Sequence, residues 1–130
     1  MFYFYSGNSE HTSMNTSGMT PATIAELYFE CWAAGDPEPL RDLLHSNVTF
    51  DGALGSTRGP EEFLEGLAGM FAATTSNVVR LRLASDEDVV TWSELQIGGK
   101  APMQVANWTH VENGRIVAVR ATFDPRPIFA

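Results

Sequence analysis

The chain predicts an α+β fold in which three short N-terminal helices pack on a strongly curved, mostly antiparallel sheet. Three observations carry that prediction. Apolar residues recur at helical spacing in three segments of the N-terminal half, β-rich runs separated by turn signals follow from Asn77 onward, and Asn113-Gly114 joins the last two runs. Asn-Gly tolerates the positive φ angles of a type I′ turn, so the runs on either side fold back as antiparallel neighbours.

Taken in order, residues 1–19 are rich in Ser, Thr, Asn and Gly and show no periodicity. This predicts a flexible tail, with 20–130 as the single folded domain. Four aromatics near the start, Phe2 to Tyr5, offer the tail a means of docking. Thr20-Pro21 supplies a hydroxyl cap followed by a proline at the first turn, and Ile24, Leu27, Tyr28, Cys31 and Trp32 share one face until Gly35. Asp36-Pro37 opens a shorter second helix with Leu40, Leu43 and Leu44 inward, and residues 48–51 form a short strand. Residues 52–59 read as a loop. Pro60-Glu61-Glu62 starts the third helix with acids at the positive end of its dipole, and Phe63, Leu64, Leu67, Met70 and Phe71 make its buried stripe.

Residues 78–84, 89–97, 103–111 and 115–123 read as strands. Alternation along the third puts Gln104, Ala106, Trp108 and His110 on one face. The other face carries Val105, Asn107, Thr109 and Val111, leaving a lone amide that needs a partner. Such a sheet, bent and closed by helices, makes a cone with an interior cavity.

Eight basic against sixteen acidic residues give a net charge of −8, which repels phosphate backbones and anionic membranes and predicts neither as a partner. Cys31 stands alone, so intrachain disulfides and multi-cysteine metal clusters are excluded, in keeping with a cytoplasmic location. No apolar run approaches the roughly 20 residues of a membrane span, and Phe2 to Tyr5 is too short for a secretion signal. His45 and His110 lack ligand spacing, so no metal site is expected, and His11 belongs to the tail.

Four segments then invite a comparison: Tyr28-Phe-Glu-Cys-Trp-Ala-Ala-Gly-Asp36, Val48-Thr-Phe-Asp51, Arg58-Gly-Pro-Glu-Glu-Phe63, and Glu112-Asn-Gly-Arg-Ile-Val-Ala-Val-Arg-Ala-Thr-Phe-Asp124. Their order and spacing resemble the SnoaL-like branch of the nuclear transport factor 2-like superfamily, over residues 20–127. The resemblance implies the cone fold, a homodimer, and a cofactor-free site for a small, largely apolar molecule. That superfamily hosts ketosteroid isomerases, polyketide cyclases, limonene epoxide hydrolases, dehydratases and non-catalytic proteins, so the fold alone does not decide the function.

The resemblance also nominates residues. Tyr28 matches the tyrosine that donates to the substrate oxyanion in ketosteroid isomerases, and Asn107 matches its acidic partner; together they would polarise a carbonyl, or else satisfy each other. Gly52 falls at the isomerase's catalytic aspartate, with Asp51 one residue early. Asp51 is therefore either a base returned to the cavity by a bulge or an exposed strand-end carboxylate. Asp124 stands near the acid that SnoaL-like cyclases use, yet alternation also allows it to pair outside with Arg120 or Arg126. The epoxide hydrolase mechanism needs an arginine between two carboxylates, where this chain has Ser93, Leu95 and Ala121. The positions of its water-holding tyrosine and asparagine are Phe50 and Gly52, so that mechanism is excluded. Trp32, Phe50, Phe63, Leu67, Met70, Phe71, Ser93, Leu95 and Phe123 are expected to bind the ligand. Trp92 and Trp108, on the outer face with Glu94, His110 and Arg120, are expected at a dimer contact.

Overall fold

A computed structural model describes Tyr3–Phe4, by backbone alone, and residues 19–130. The expectation of a flexible tail falls almost wholly outside these residues. The helix α1 (Pro21–Ala34) begins where expected, with the Thr20 hydroxyl accepting from the Thr23 amide at 3.1 Å and Pro21 in the first turn. The second helix is a 3₁₀ segment, Glu38–Leu43, rather than an α-helix. Its six residues are too few for a stable α ladder, and Leu44 leaves it to pair as a strand with Ile116.

The strand β2 (Leu44–Gly52) turns back into β3 (Gly55–Arg58), so all of the expected 52–59 loop except Gly59 belongs to a hairpin. Gly55-Ser-Thr-Arg58 has no apolar alternation; its backbone ladder, not a side-chain pattern, makes it a strand. The helix α2 (Pro60–Ala73) runs without a linker into β4 (Thr74–Ala84), three residues earlier than the sequence suggests. There follow β5 (Asp88–Ile97), β6 (Met103–Glu112) and β7 (Arg115–Thr122), each joined by its expected turn. At the last turn Asn113 and Gly114 have φ of 51° and 76°, the positive values that the Asn-Gly signal requires. A four-residue helix α3 (Arg126–Phe129), absent from the expectation of three N-terminal helices, closes the chain.

With β1 (Tyr3–Phe4), the sheet runs in the order β1-β4-β5-β6-β7-β2-β3. It is mixed, because β2 lies parallel to β7 while all other neighbours are antiparallel. Register breaks in β2, twice in β4, and at His110–Val111 bend the strands, and the sheet stays open. The helix α1 packs on β4, β5 and β6, and α2 on β2 and β3. Between them lies the main core, built on Ile24, Phe29, Leu40, Val48, Phe63, Ile116 and Val119. Alternation along β6 is as expected: Met103, Val105, Asn107, Thr109 and Val111 are buried, and Trp108 on the other face is 47% exposed.

Candidate functional site

A cavity of about 330 Å³ is enclosed by α1, α2, β3 and the inner face of the sheet. Tyr28 reaches it from α1, and Asn107 reaches it from β6 across the interior. Both are essentially fully buried. The Thr109 hydroxyl donates to Asn107 Oδ1 at 2.9 Å, and the Asn107 side chain also hydrogen-bonds the Tyr28 hydroxyl. Burial drives the Tyr28 pKa well above its ordinary value, and the smaller effect of Asn107 opposes it. Tyr28 therefore stays protonated throughout the physiological range. On the other side of the amide, Asn107 Oδ1 accepts from Thr109.

The apolar wall is held rigid. Trp32 lies between Phe71 and Phe29, with ring centroids 5.2 and 5.6 Å away and planes within 25° of parallel. The Arg82 guanidinium covers the Phe29 ring at 5.2 Å, extending the column to a cation. Trp32 Nε1 donates to the Thr74 hydroxyl at 2.8 Å, and that hydroxyl donates to the Met70 carbonyl at 2.8 Å, so the indole cannot swing. Of the residues expected at the ligand, Trp32, Phe50, Phe63, Leu67, Met70, Leu95 and Phe123 line the cavity. Phe71 and Ser93 do not. Phe71 is buried behind Trp32, and Ser93 is buried opposite Val105, so each supports the wall rather than forming it.

Neither expected base reaches the cavity wall. Asp51 is exposed, ion-paired with Arg120 beside it on β7 and accepting from the Ser56 hydroxyl at 2.8 Å on β3. The register break in β2 lies before Thr49 and leaves Asp51 on the outer side. Gly52 holds the inward position instead, and a Cβ there would stand 2.7 Å from the Phe50 ring. Phe50 thus fills the space a side chain at 52 would need. Asp124 pairs with Arg126 at 2.6 Å and accepts from its backbone amide at 3.0 Å. Those bonds hold its carboxyl below the usual aspartate range. Asp124 thus pairs outside with Arg126, one of the two arginines the sequence offered, and Asp51 is the exposed strand-end carboxylate of its second reading, paired in addition with Arg120.

A family model for SnoaL-like domains matches residues 25–119. The chain belongs to the SnoaL-like domain family. A search of curated proteins found no match. Among solved structures, an NTF2-like protein of unknown function from Cytophaga hutchinsonii has a TM-score of 0.75 and 21% identity, covering 92% of this chain and 100% of that one. A steroid delta-isomerase from Pseudomonas aeruginosa has a TM-score of 0.71 at 19% identity, covering 80% of this chain and 79% of its own. An LEH-like epoxide hydrolase from M. tuberculosis has a TM-score of 0.66 at 20% identity, covering 82% and 84%. At such identities the likeness is one of fold, and the side chains decide the rest.

Sequence reasoning missed part of this SnoaL-like cavity. Phe29 lies outside the stripe read for α1. Leu54, Ser56 and Thr57 were hidden in the segment read as a loop. Gly66, a poor residue for a helix interior, was the available signal: a Cβ there would meet the Thr57 methyl at 3.4 Å, so the glycine marks where α2 approaches β3. Two polar groups stand apart from the paired Asn107. Thr57 Oγ1 and both polar atoms of the Asn77 side chain are closed off from solvent and make no hydrogen bond. An unpaired buried group of this kind costs about 1–3 kcal/mol.

On the outer face of the SnoaL-like sheet, Trp108 Nε1 and His110 Nδ1 both bond Asp88 Oδ1 at 2.8 Å, and His110 Nε2 bonds Glu112 at 2.8 Å. Glu112 first, then Asp88, raises the His110 pKa. Beside them Trp92 donates to Gln104, and Gln104 and Arg80 donate to Glu94. Among the described residues no group of three or more His, Cys, Asp or Glu side chains is placed to hold a metal. None of the described helices is long and apolar enough to cross a membrane.

Proposed function

We propose that this SnoaL-like domain binds a small, largely apolar molecule carrying a carbonyl or similar acceptor, and holds it without acid/base turnover. The observation that carries the reading is the make-up of the wall: among the described residues lining the cavity, Tyr28 is the one ionisable side chain, and burial keeps it neutral. In this reading the Tyr28 hydroxyl offers its proton to a guest's acceptor. The aromatic and aliphatic remainder supplies the affinity by burying apolar surface. Isomerase, cyclase or dehydratase chemistry at this site would need a base on the wall, and Asp51 and Asp124 are each engaged with an arginine elsewhere. No cofactor enters the reading, and the lone, buried Cys31 fits a cytoplasmic setting.

The test pairs two bicyclic probes of nearly equal shape, 1-tetralone and tetralin, titrated against Trp fluorescence. Tyr28→Phe should weaken 1-tetralone roughly fivefold, the worth of one neutral hydrogen bond, and leave tetralin unchanged. Equal binding of both probes by the native protein would sink the Tyr28 anchor. Exchange of the tetralone α-protons catalysed by the native protein would restore the enzyme reading.

We also propose a homodimer through the outer face, where Trp92 and Trp108 are 42% and 47% exposed beside ordered polar partners. Trp108→Glu should halve the mass found by sedimentation; an unaltered mass would place the contact elsewhere.

A further inference from the structure

A second pocket of about 240 Å³ lies behind the aromatic column, lined by Phe29, Trp32, Ala33 and residues 74–77. Phe29 and Trp32 are shared with the main cavity and form the partition between the two. The column is fixed by stacking and by the Trp32–Thr74 hydrogen bond, so this second space is separate from the first. Its wall is also polar where the main cavity is apolar, since four of its seven lining residues are Thr74, Thr75, Ser76 and Asn77.

Asn77 is the residue out of place. Asparagine is disfavoured in strands, and this one sits within β4 directly opposite Leu95, which faces the interior. Residues directly opposite in an antiparallel pair share a face, so the Asn77 amide also turns inward. There both Nδ2 and Oδ1 are buried with no partner. Two of the three neighbouring hydroxyls are already engaged: Thr74 with Met70 and Trp32, and Thr75 with the Gln96 and Gly98 carbonyls. An amide left with an unused donor and an unused acceptor, in the wall of a small polar pocket, is matched by a group that carries an acceptor and a donor side by side.

We propose that this pocket is a second ligand site, selective for a small molecule bearing an amide-like group whose adjacent donor and acceptor pair with both atoms of the Asn77 side chain. The pocket is smaller and more polar than the main cavity, so it does not suit the apolar guest proposed there, and Tyr28 is not part of its lining. A carboxylate or a ketone satisfies only the Asn77 donor, leaving its acceptor orphaned, so the site discriminates against both.

The probe is propionamide, compared with its near-isostere butanone, which keeps the acceptor and lacks the donor. In NMR spectra with assigned Asn side-chain NH₂ groups and the assigned Trp32 indole N–H, propionamide should shift both Asn77 and Trp32 saturably, whereas butanone should not. Asn77→Val should remove the response at Trp32 while keeping or raising Tm, because valine suits the strand and carries no unpaired group; Tyr28→Phe should leave the response intact. If Asn77→Val does not fold, Asn77→Asp, of the same shape but lacking the donor, should weaken propionamide at least fivefold. Equal shifts from the two probes, shifts at Asn107 with none at Asn77, or saturation retained in an Asn77 variant that folds would each overturn the proposal. The Tyr28 anchor is judged separately, by 1-tetralone.

Discussion

Two asparagines face the interior of the same sheet and end in opposite states. Asn107, on β6, accepts from Thr109 and is also engaged with Tyr28, while Asn77, on β4, has neither atom paired. The first is part of a closed network that sets the chemistry of the main cavity. The second is an open valence in the wall of another. The contrast teaches that a buried polar side chain is informative through its partners: one that is satisfied organises a site, and one that is not still has a bond to offer.

Several substitutions break or sharpen that contrast. The largest effect belongs to Asn107→Ala, which orphans the Thr109 hydroxyl and removes the side-chain partner of Tyr28; chemical denaturation should show a loss of about 2–3 kcal/mol. Gly52→Ala comes next. Its Cβ would press on Phe50 from 2.7 Å, so a cost of about 1–2 kcal/mol is expected, most of it absent in a Phe50→Ala background. A Gly52→Ala variant as stable as the native protein would mean that Phe50 yields freely. Asn77→Val should act in the opposite direction from Asn107→Ala, raising stability by about 1 kcal/mol in the same denaturation assay. A loss there would mean that the amide is paired in solution.

The smallest effect is at the outer face. His110 has a raised pKa, so its bonds stabilise fully below the ordinary histidine value of 6.5 and fade as pH rises through the folded value. Asp88 has a lowered one, despite the opposing pull of burial, because Trp108 and His110 bond it. Its contribution is complete above the ordinary aspartate value of 3.8 and fades as pH falls through its folded value. His110→Gln should therefore cost less than about 1 kcal/mol, most visibly between pH 3.8 and 6.5 and least near pH 9, in thermal melts across pH. A cost independent of pH would show that the ring acts by packing alone.

Much of this was legible in the chain because the signals are local. Thr20-Pro21, the Phe63 to Phe71 stripe and Asn113-Gly114 each specify backbone conformation within a few residues, and those elements lie where expected. Period-two alternation likewise separated Asn107 from Trp108 without coordinates. The β3 strand was not legible, because Gly55-Ser-Thr-Arg58 forms its ladder only once β2 is beside it. Asp51 could not be assigned a side from spacing alone, since one residue of register exchanges the two faces and the register break lies upstream.

The sequence by itself determined most of the elements and the inner and outer faces of the sheet, since periodicity and turn chemistry act over short range; Tyr28 and Asn107 were nominated for one interior by the family resemblance alone. The tertiary structure alone decided that β2 runs parallel to β7, that Arg120 and Arg126 hold the two carboxylates away from the cavity, and that Phe50 occupies the space over Gly52. It alone decided, too, that Asn77 has no partner. Each of these depends on groups distant in the chain or on a register set by packing, and no local pattern encodes which distant group arrives.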